Sequence, residues 1–226
     1  MDKAAKFIFF RDIPLFESLD DNQMTMLCDM VQFCKVPRFT HIYLENEAAD
    51  AIYFLSKGAI KIGVHSDLGK EVIKNILHPK AIFGELALVS DRQRSDYAQA
   101  LNTEVVYFKL KQDDFKTLMR MNKELSFKVI NFMGKRLERI ENKLESFIFR
   151  NARSRIIDFL KENALERGRQ VGYELFFKHN LTQQDIANLT GTSRQTVTSV
   201  LNELKKLNLI HFNRNGVLIR DIAKLA

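Results

Sequence analysis

The amino-acid sequence predicts an α+β chain with an N-terminal β-roll of the jelly-roll type, one long helix and a C-terminal winged helix-turn-helix. Three observations support this prediction: short β-rich runs between residues 36 and 110, an apolar heptad over 130–147, and two capped helical segments over 182–204. With 226 residues, the chain can form two domains that each bury a core. We expect a β-rich domain over 1–120, a long helix over 121–150 and a winged helix-turn-helix domain over 151–226.

The first part of the chain changes from a helical to a β-rich pattern. Apolar side chains in residues 15–33 recur at helical spacing after N-cap chemistry at 19–23, and they predict a helix. Short β-rich runs bounded by turn residues follow, and such runs are typical of an antiparallel barrel or sandwich. They cover residues 40–44, 51–55, 59–64, 72–77 and 104–110.

A helical pattern returns at residue 111 and continues to about 149. Apolar residues recur in it at intervals of three and four, namely Ile130, Met133, Leu137, Ile140, Leu144 and Phe147. Charged residues flank this seam, which predicts that an identical helix packs against it in a homodimer. The alternative is an amphipathic helix that packs on its own domain. We expect a hinge at 150–154, a helix over 154–163, and a loop with a short hairpin over 164–180.

Residues 182–210 have the capping and spacing of a helix-turn-helix. Thr182 and Asp185 form an N-cap box, Gly191 suits a left-handed turn, and Ser193 caps a second helix. Arg and Gln at the start of that helix can pair with guanine and adenine in the major groove. A hairpin over 209–219, with Asn215 and Gly216 at its turn, completes a winged motif. The residues predicted to contact DNA are Thr182, Gln183, Ser193, Arg194, Gln195, Thr196, Thr198, Ser199 and Lys205, with Ser193, Thr196 and Lys205 facing phosphates.

Charge and composition narrow the function further. The net charge is +7, and residues 150–226 contain 13 Lys and Arg against 7 Asp and Glu, which indicates a polyanionic partner for this part. The sequence has no apolar run of membrane-spanning length and no secretory signal pattern, so we expect a cytoplasmic protein. Two cysteines are too few for an iron–sulfur cluster or structural zinc, and we expect no metal or covalent cofactor. The sequence also lacks a nucleophile elbow, an HExxH motif and a P-loop, which argues against an enzyme.

Taken together, these motifs resemble the cyclic-AMP receptor protein / fumarate-nitrate regulator (Crp/Fnr) family of bacterial transcription regulators over nearly the whole chain. The resemblance is strongest in residues 182–210, and it implies that Arg194, Gln195 and Ser199 read bases of an approximately palindromic operator. That family most commonly has Glu and Arg where this chain has Gln195 and Ser199, so a different operator sequence is expected. The resemblance also implies a contact with RNA polymerase, for which residues 162–172 are the candidate.

Residues 83–100 resemble the phosphate-binding cassette of the family's cyclic-nucleotide-binding roll. The resemblance implies that Gly84 permits close backbone approach, and that the amides of Glu85, Leu86 and Ala87 face an anion. It also implies that Arg94 and Ser95 bind a phosphate, and that Glu85 accepts a hydrogen bond from a ribose hydroxyl. The alternative is that Glu85 and Arg94 form a structural ion pair in an empty roll.

The expected effector is a cyclic nucleotide such as cyclic AMP, but one part of the family pattern differs. The Thr-Ser or Thr-Asn pair that reaches adenine in cyclic-AMP receptors matches Ile140 and Glu141, with Asn142 next. Glu141 and Asn142 are therefore the candidates for base contact. Either base recognition differs, or the ligand is another molecule, or the regulator needs no ligand. A regulatory subunit without DNA binding is a further alternative.

Other branches of the family use redox or haem chemistry, and the sequence does not favour either. The redox branch has an N-terminal cysteine cluster, which this chain lacks. A haem-binding branch needs an axial histidine, and we interpret His78, next to Pro79, as a turn residue.

Overall fold

The computed structural model describes residues 2–67, 69–89, 93–179, 181–213 and 216–225. The chain divides into two compact units: Met1–Val64 with Lys74–Arg139, and His65–Ile73 with Ile140–Ala226. We call them the N-terminal and C-terminal units. No helix in the described ranges combines the length and apolarity needed to cross a membrane.

Four helices begin in the N-terminal unit: α1 Lys3–Arg11, α2 Asp21–Met30, α3 Gln112–Met121 and α4 Lys123–Phe149. The prediction of one helix from 111 to 149 is wrong at Asn122, which separates α3 from α4. Its backbone is extended, and its side-chain oxygen accepts from the Leu125 amide at 2.9 Å. This local bond competes with the helical hydrogen bond and starts a new helix.

The described residues before α3 form two four-stranded sheets, with strand orders β1-β8-β3-β6 and β2-β7-β4-β5. Apart from the end of β4 and the start of β5, these strands belong to the N-terminal unit. All five predicted β-rich runs contain a strand. Strands β1, β6 and β7 were not predicted from the sequence. The strands are β1 Gln32–Pro37, β2 His41–Tyr43, β3 Ala51–Lys57, β4 Ile60–His65, β5 Glu71–Leu77, β6 Ile82–Phe83, β7 Tyr97–Ala100 and β8 Glu104–Lys111.

The predicted helix over 15–33 is wrong at both ends. Its first residues form a short 3-10 helix, Pro14–Phe16, and its last two belong to β1, so only α2 remains. Strand β1 pairs antiparallel with β8, placing Phe33 opposite Phe108. Pairing with a distant strand therefore overrides the local helical spacing.

Two apolar clusters form the core of this unit, and strand β3 contributes to both. Ile52 and Phe54 belong to a cluster with α1, α2, α3 and the start of α4. Tyr53 and Leu55 belong to a second cluster that also includes residues of the other sheet, such as Ile60 and Ala98. Successive side chains of a strand point to opposite faces, so β3 separates the helical layer from the inside of the roll.

The C-terminal unit combines three helices with a four-stranded sheet of order β11-β12-β10-β9. Helix α5 continues to Arg167, so the predicted end at 163 is wrong. The extra turn consists of good helix formers, and Ala164 is buried. The elements are α5 Ala152–Arg167, β9 Arg169–Val171, β10 Glu174–Lys178, α6 Gln183–Thr190, α7 Arg194–Lys206, β11 Ile210–Asn213 and β12 Gly216–Ile219.

Both hairpins expected in the C-terminal unit are present. Strand β9 pairs with β10, and β11 pairs with β12. Gly216 is the first residue of β12 and pairs with Asn213, so it lies in the strand rather than in the loop. Asn215 lies outside the described residues.

Candidate DNA interface and ligand pocket

Helix α6 begins with the predicted capping box. The amide and the hydroxyl of Thr182 both donate to the Asp185 carboxylate, at 2.8 and 2.7 Å, and the Asp185 amide donates back to the Thr182 hydroxyl at 3.1 Å. The helix ends at Gly191, whose φ of 60° and ψ of 43° are left-handed. These two features limit α6 to two turns and place the start of α7 close behind it.

Helix α7 presents one apolar and one polar face. Ser193 caps it by accepting from the Thr196 amide at 3.0 Å. Its buried side chains are Val197, Val200, Leu201 and Leu204, which recur at helical spacing. Arg194, Gln195 and Ser199 are exposed on the other face, together with Asn202. Asn202 was not predicted from the sequence, although its position four residues after Thr198 places it on the same face.

Several of the predicted DNA-contacting residues also bond to each other. The Thr198 hydroxyl donates to Gln183 Oε1 at 2.6 Å and so joins α7 to α6. The hydroxyls of Ser193 and Thr196 lie 2.8 Å apart. Thr182 and Lys205 are exposed. Of the residues that the sequence predicts to read bases, Arg194, Gln195 and Ser199 are all exposed on α7.

In the N-terminal unit, Gly84 is the centre of the cassette. Its φ is 70°, and it precedes the short 3-10 helix Glu85–Leu88. A Cβ at this position would lie 2.8 Å from Arg94 Nη1 and 2.9 Å from Tyr53 Cδ2. Glycine is therefore required both by the left-handed backbone and by the close approach of two side chains.

The Arg94 guanidinium is buried in the roll and is largely engaged by the protein itself. Its Nη1 donates to the Gly84 carbonyl at 3.0 Å, and its Nη2 donates to the Ala51 carbonyl at 2.7 Å. Its Cζ lies 4.5 Å from the ring centre of Tyr43 and 5.4 Å from that of Tyr53. Its Nε has no hydrogen-bond partner among the described residues. The sequence did not indicate the two tyrosines as neighbours of the cassette.

Glu85 is 2% exposed, and its partner is Arg136 of α4 rather than Arg94. Arg136 Nη1 lies 2.8 Å from Glu85 Oε1. The alternative of a Glu85–Arg94 ion pair is therefore wrong. Burial raises the pKa of the Glu85 carboxyl, and Arg136 partly opposes this rise. In the described part of the chain, Glu85 Oε2 has no hydrogen-bond partner.

The other predicted cassette residues differ in exposure. Ala87 is buried, whereas Leu86 and Ser95 are exposed. The next residue, Asp96, was not predicted, yet it accepts from the Tyr43 hydroxyl at 3.3 Å and pairs with Lys74 Nζ at 3.0 Å. Burial, and secondarily Asp96, raise the pKa of Tyr43. Asp96 thus places a negative charge beside the cassette, next to a tyrosine that contacts Arg94.

The predicted seam of α4 is largely unburied within this chain. Met133 is half-buried, and the other five seam residues are 41% to 64% exposed. Glu141 and Asn142 are also exposed, and they belong to the C-terminal unit, whereas the cassette belongs to the N-terminal unit. An apolar row of this length is typical of a surface that another helix covers.

The cysteines and His78 show no sign of a metal site. Cys28 is buried and Cys34 is partly buried, both are free thiols, and burial raises the pKa of each. The His78 carbonyl accepts from the Ala81 amide at 3.0 Å, which confirms a turn at this position. Within the described ranges, no group of three His, Cys, Asp or Glu side chains could hold a metal ion.

Two family models match this chain. The cyclic nucleotide-binding domain matches residues 33–122, and the Crp-like helix-turn-helix domain matches residues 154–226. The chain is 30% identical over 212 residues to the CRP-like cAMP-activated global transcriptional regulator of Mycobacterium tuberculosis, covering 94% of both chains. It is 26% identical over 213 residues to the cyclic AMP receptor protein of Thermus thermophilus, again covering 94% of both chains.

Solved structures show the same fold. The structure of a CooA mutant from Carboxydothermus hydrogenoformans matches with a TM-score of 0.76 and 19% identity, over 94% of this chain and 93% of that one. The family models cover the roll and the winged motif separately, and the relative from Mycobacterium tuberculosis spans both. The chain therefore belongs to the Crp/Fnr family of transcription regulators.

Proposed function

We propose that this regulator acts in the cytoplasm as a homodimer on approximately palindromic DNA, and that a cyclic nucleotide, with cyclic AMP as the first candidate, controls it. It acts by binding rather than by catalysis. The DNA-reading part rests on the exposed row of Arg194, Gln195 and Ser199 on α7. Two-fold related copies of α7 in a dimer match two half-sites about one helical turn apart. The exposed seam of α4 supports the dimer, and contact with RNA polymerase through residues 162–172 is part of the proposal.

One observation supports the cyclic nucleotide: two buried polar atoms at the cassette have no hydrogen-bond partner among the described residues. Glu85 Oε2 is an acceptor, and Arg94 Nε is a donor. A buried polar group without a partner costs about 1–3 kcal/mol. A ribose hydroxyl can donate to the carboxylate, and a phosphate oxygen can accept from the guanidinium. The relatives named as cAMP-activated support cyclic AMP as the first candidate.

A second candidate, a regulator that needs no ligand, is favoured by the two carbonyls that Arg94 already contacts. Both terminal nitrogens of its guanidinium donate to the backbone, and the group lies against two tyrosine rings. A phosphate that binds Arg94 through these nitrogens must displace at least one of these bonds. If no ligand does so, Arg94 serves only to hold the cassette together.

The DNA-reading part can be tested by selecting binding sites from randomised duplexes. We expect the wild-type protein to enrich a sequence with two-fold symmetry. The variant Arg194→Ala should lose about 1–3 kcal/mol of affinity for that sequence, because Arg is suited to pair with guanine. Arg120→Ala, which removes an exposed arginine of α3, is the matched control and should bind normally. Equal affinity of Arg194→Ala and wild type would contradict base reading by α7.

The ligand part can be tested by titrating cyclic AMP and cyclic GMP into the full-length protein. Tyrosine fluorescence is a suitable signal because Tyr43 and Tyr53 contact Arg94 and the chain has no tryptophan. We expect saturable binding by wild type and by Arg120→Ala, and none by Arg94→Ala. Calorimetry that detects no binding of either nucleotide to wild type, together with unchanged operator affinity, would favour the ligand-independent regulator.

A further inference from the structure

Arg155 of α5 donates from all three of its guanidinium nitrogens to backbone carbonyls. Its Nε donates to the Thr190 carbonyl at 2.8 Å, and its Nη2 donates to the Gly191 carbonyl at 3.1 Å. Its Nη1 donates to the Arg150 carbonyl at 2.7 Å. One side chain therefore contacts the end of α6, the turn before α7 and the segment that follows α4.

The carbonyls that Arg155 contacts are those a helix end leaves without a backbone partner. The last four carbonyls of an α-helix have no intrahelical donor. Thr190 is the last residue of α6, and Gly191 is its left-handed cap. Arg150 follows Phe149, the last residue of α4. A cation is also favoured at these ends by the helix dipole, so one guanidinium stabilises the termini of two helices.

Phe147 provides a second contact between the last turn of α4 and the turn at Gly191. Arg155 Cζ lies 5.2 Å from the centre of its ring. A Cβ at Gly191 would lie 2.5 Å from Phe147 Cε1, so the ring packs directly against the turn. Gly191 thus has two roles: it supplies the left-handed conformation, and it lets the last turn of α4 approach the helix-turn-helix.

A neighbouring arginine on the same helix shows what Arg155 does that an ordinary surface charge does not. Arg153 pairs with Glu203 of α7 at 3.1 Å, and both side chains are more than a third exposed. Such a pair contributes little to a fixed geometry, because water competes for both groups. Arg155, in contrast, donates from Nε, Nη1 and Nη2 to backbone carbonyls, which have less rotational freedom than an exposed side chain.

We propose that Arg155 is a positioning residue for DNA reading, which holds the turn between α6 and α7 against the last turn of α4. Phe147 and Gly191 supply the packing that completes this contact. In a dimer paired along α4, the position of that last turn then sets where each copy of α7 meets the DNA. This inference rests on the proposed function, because it assumes that α7 reads bases.

The test compares Arg155→Lys with Arg153→Lys in the full-length protein, using the selected operator and a non-specific duplex. Lysine keeps the charge but lacks the planar fork that reaches three carbonyls. We expect Arg155→Lys to weaken operator binding by about 10- to 100-fold, the equivalent of one hydrogen bond to a charged group. Non-specific binding should not change, and Arg153→Lys should behave as wild type. Helical circular dichroism should confirm that each variant is folded at the assay temperature.

Two further measurements separate positioning from other roles. Arg155→Gln removes the charge, and an unchanged salt dependence of operator binding would support positioning. A salt slope reduced by about one would identify a phosphate contact and overturn the proposal.

If Arg155→Lys is unfolded, Gly191→Ala tests the same contact from the side of the turn. This variant should reduce the ratio of operator affinity to affinity for the non-specific duplex. Wild-type operator affinity in folded Arg155→Lys would also overturn the proposal. The result for Arg194→Ala separates the two failures. If Arg194→Ala binds the operator weakly while Arg155→Lys binds it normally, only the inference about Arg155 fails. If both variants bind normally, the proposed DNA reading by α7 fails as well.

Discussion

Each unit of this regulator contains an arginine that donates to the carbonyl of a left-handed glycine and lies against an aromatic ring. In the N-terminal unit, Arg94 contacts the Gly84 carbonyl and two tyrosines. In the C-terminal unit, Arg155 contacts the Gly191 carbonyl and Phe147. The two differ in how completely they are bonded. Arg94 is buried with an unpartnered Nε among the described residues, whereas Arg155 donates from Nε, Nη1 and Nη2.

The difference indicates two uses of the same chemistry. A buried donor without a partner makes the folded state less stable than it could be, and any ligand that supplies an acceptor gains that free energy. A guanidinium that donates from each of its three nitrogens to a backbone carbonyl, as Arg155 does, instead holds the backbone in one arrangement. The first arrangement suits a sensor, and the second suits an element that must present α7 in a fixed position.

The largest expected effect is the loss of unfolding free energy when a buried ion pair, rather than a surface ion pair, is broken. Arg136→Ala leaves Glu85 buried without its counter-ion, and we expect the N-terminal unit to lose about 3 kcal/mol of unfolding free energy. Arg153→Ala breaks the exposed pair with Glu203 and should cost at most about 0.5 kcal/mol. For Arg136→Ala, denaturation followed by tyrosine fluorescence reports on the N-terminal unit, because Tyr173 is the chain's only tyrosine outside that unit and is 99% exposed. For Arg153→Ala, whose ion pair lies in the C-terminal unit, denaturation is followed by circular dichroism.

The pH dependence of Arg136→Ala provides an internal control. Burial raises the pKa of Glu85, so the folded state binds a proton more readily than the unfolded state. The stability cost is then fully present above the folded pKa and decreases as the pH falls toward the unfolded value. The deficit of Arg136→Ala should therefore be smaller at pH 5 than at pH 8. A deficit that is constant or grows on acidification would contradict this account of Glu85.

The next largest effect is the stability cost of replacing each of the two left-handed glycines, Gly84 and Gly191, by alanine. Gly84→Ala places a methyl group against Arg94 and Tyr53, both inside the roll, and should cost about 2 kcal/mol or more. The three atoms nearest to a Cβ at Gly191 all belong to the ring of Phe147, a side chain that is 41% exposed, so Gly191→Ala should cost less, about 1 kcal/mol. Chemical denaturation of both variants measures the difference. Equal costs would mean that the backbone conformation, not the neighbouring side chain, decides the effect.

The smallest effect concerns His179 in the C-terminal unit. Its ring stacks on Phe212, with centroids 5.4 Å apart, and its Nδ1 accepts from the Leu181 amide at 3.3 Å. Burial lowers the pKa of this imidazole, and Arg167 lowers it further. Below about pH 6.5 the unfolded chain binds a proton that the folded chain does not, so stability should fall as the pH falls through this range. The slope is at most about 1.4 kcal/mol per pH unit.

The variant His179→Gln isolates this contribution. Thermal denaturation followed by circular dichroism between pH 7.5 and 5.5 should show a weaker pH dependence for His179→Gln than for wild type. Glu85 acts in the opposite direction as the pH falls, so the difference between the two proteins is the quantity to measure. An identical pH dependence in His179→Gln and wild type would show that His179 does not contribute to the pH dependence of stability.

Local patterns explain why part of the molecule could be predicted from the sequence. The helix-turn-helix depends on contacts within a few residues: the Thr182–Asp185 box, the left-handed Gly191 and the Ser193 cap. The buried and exposed faces of α7 follow from the helical period alone. The β-rich runs were predicted for the same reason. Strand β1 was missed, and its first two residues were predicted as helix, because β1 pairs with β8, some 70 residues away in the chain.

Residue types and spacing predicted an α+β chain, the exposed polar face of α7 and the apolar seam of α4, and the motifs together resemble the Crp/Fnr family. Only the tertiary structure decided which side chains meet. It pairs Glu85 with Arg136, turns Arg94 toward the Gly84 and Ala51 carbonyls, and brings Arg155 and Phe147 to the Gly191 turn. The physical reason is that capping and helical periodicity act over a few residues. The hydrogen-bond acceptors of a guanidinium depend instead on which groups the fold places within about 3 Å of it.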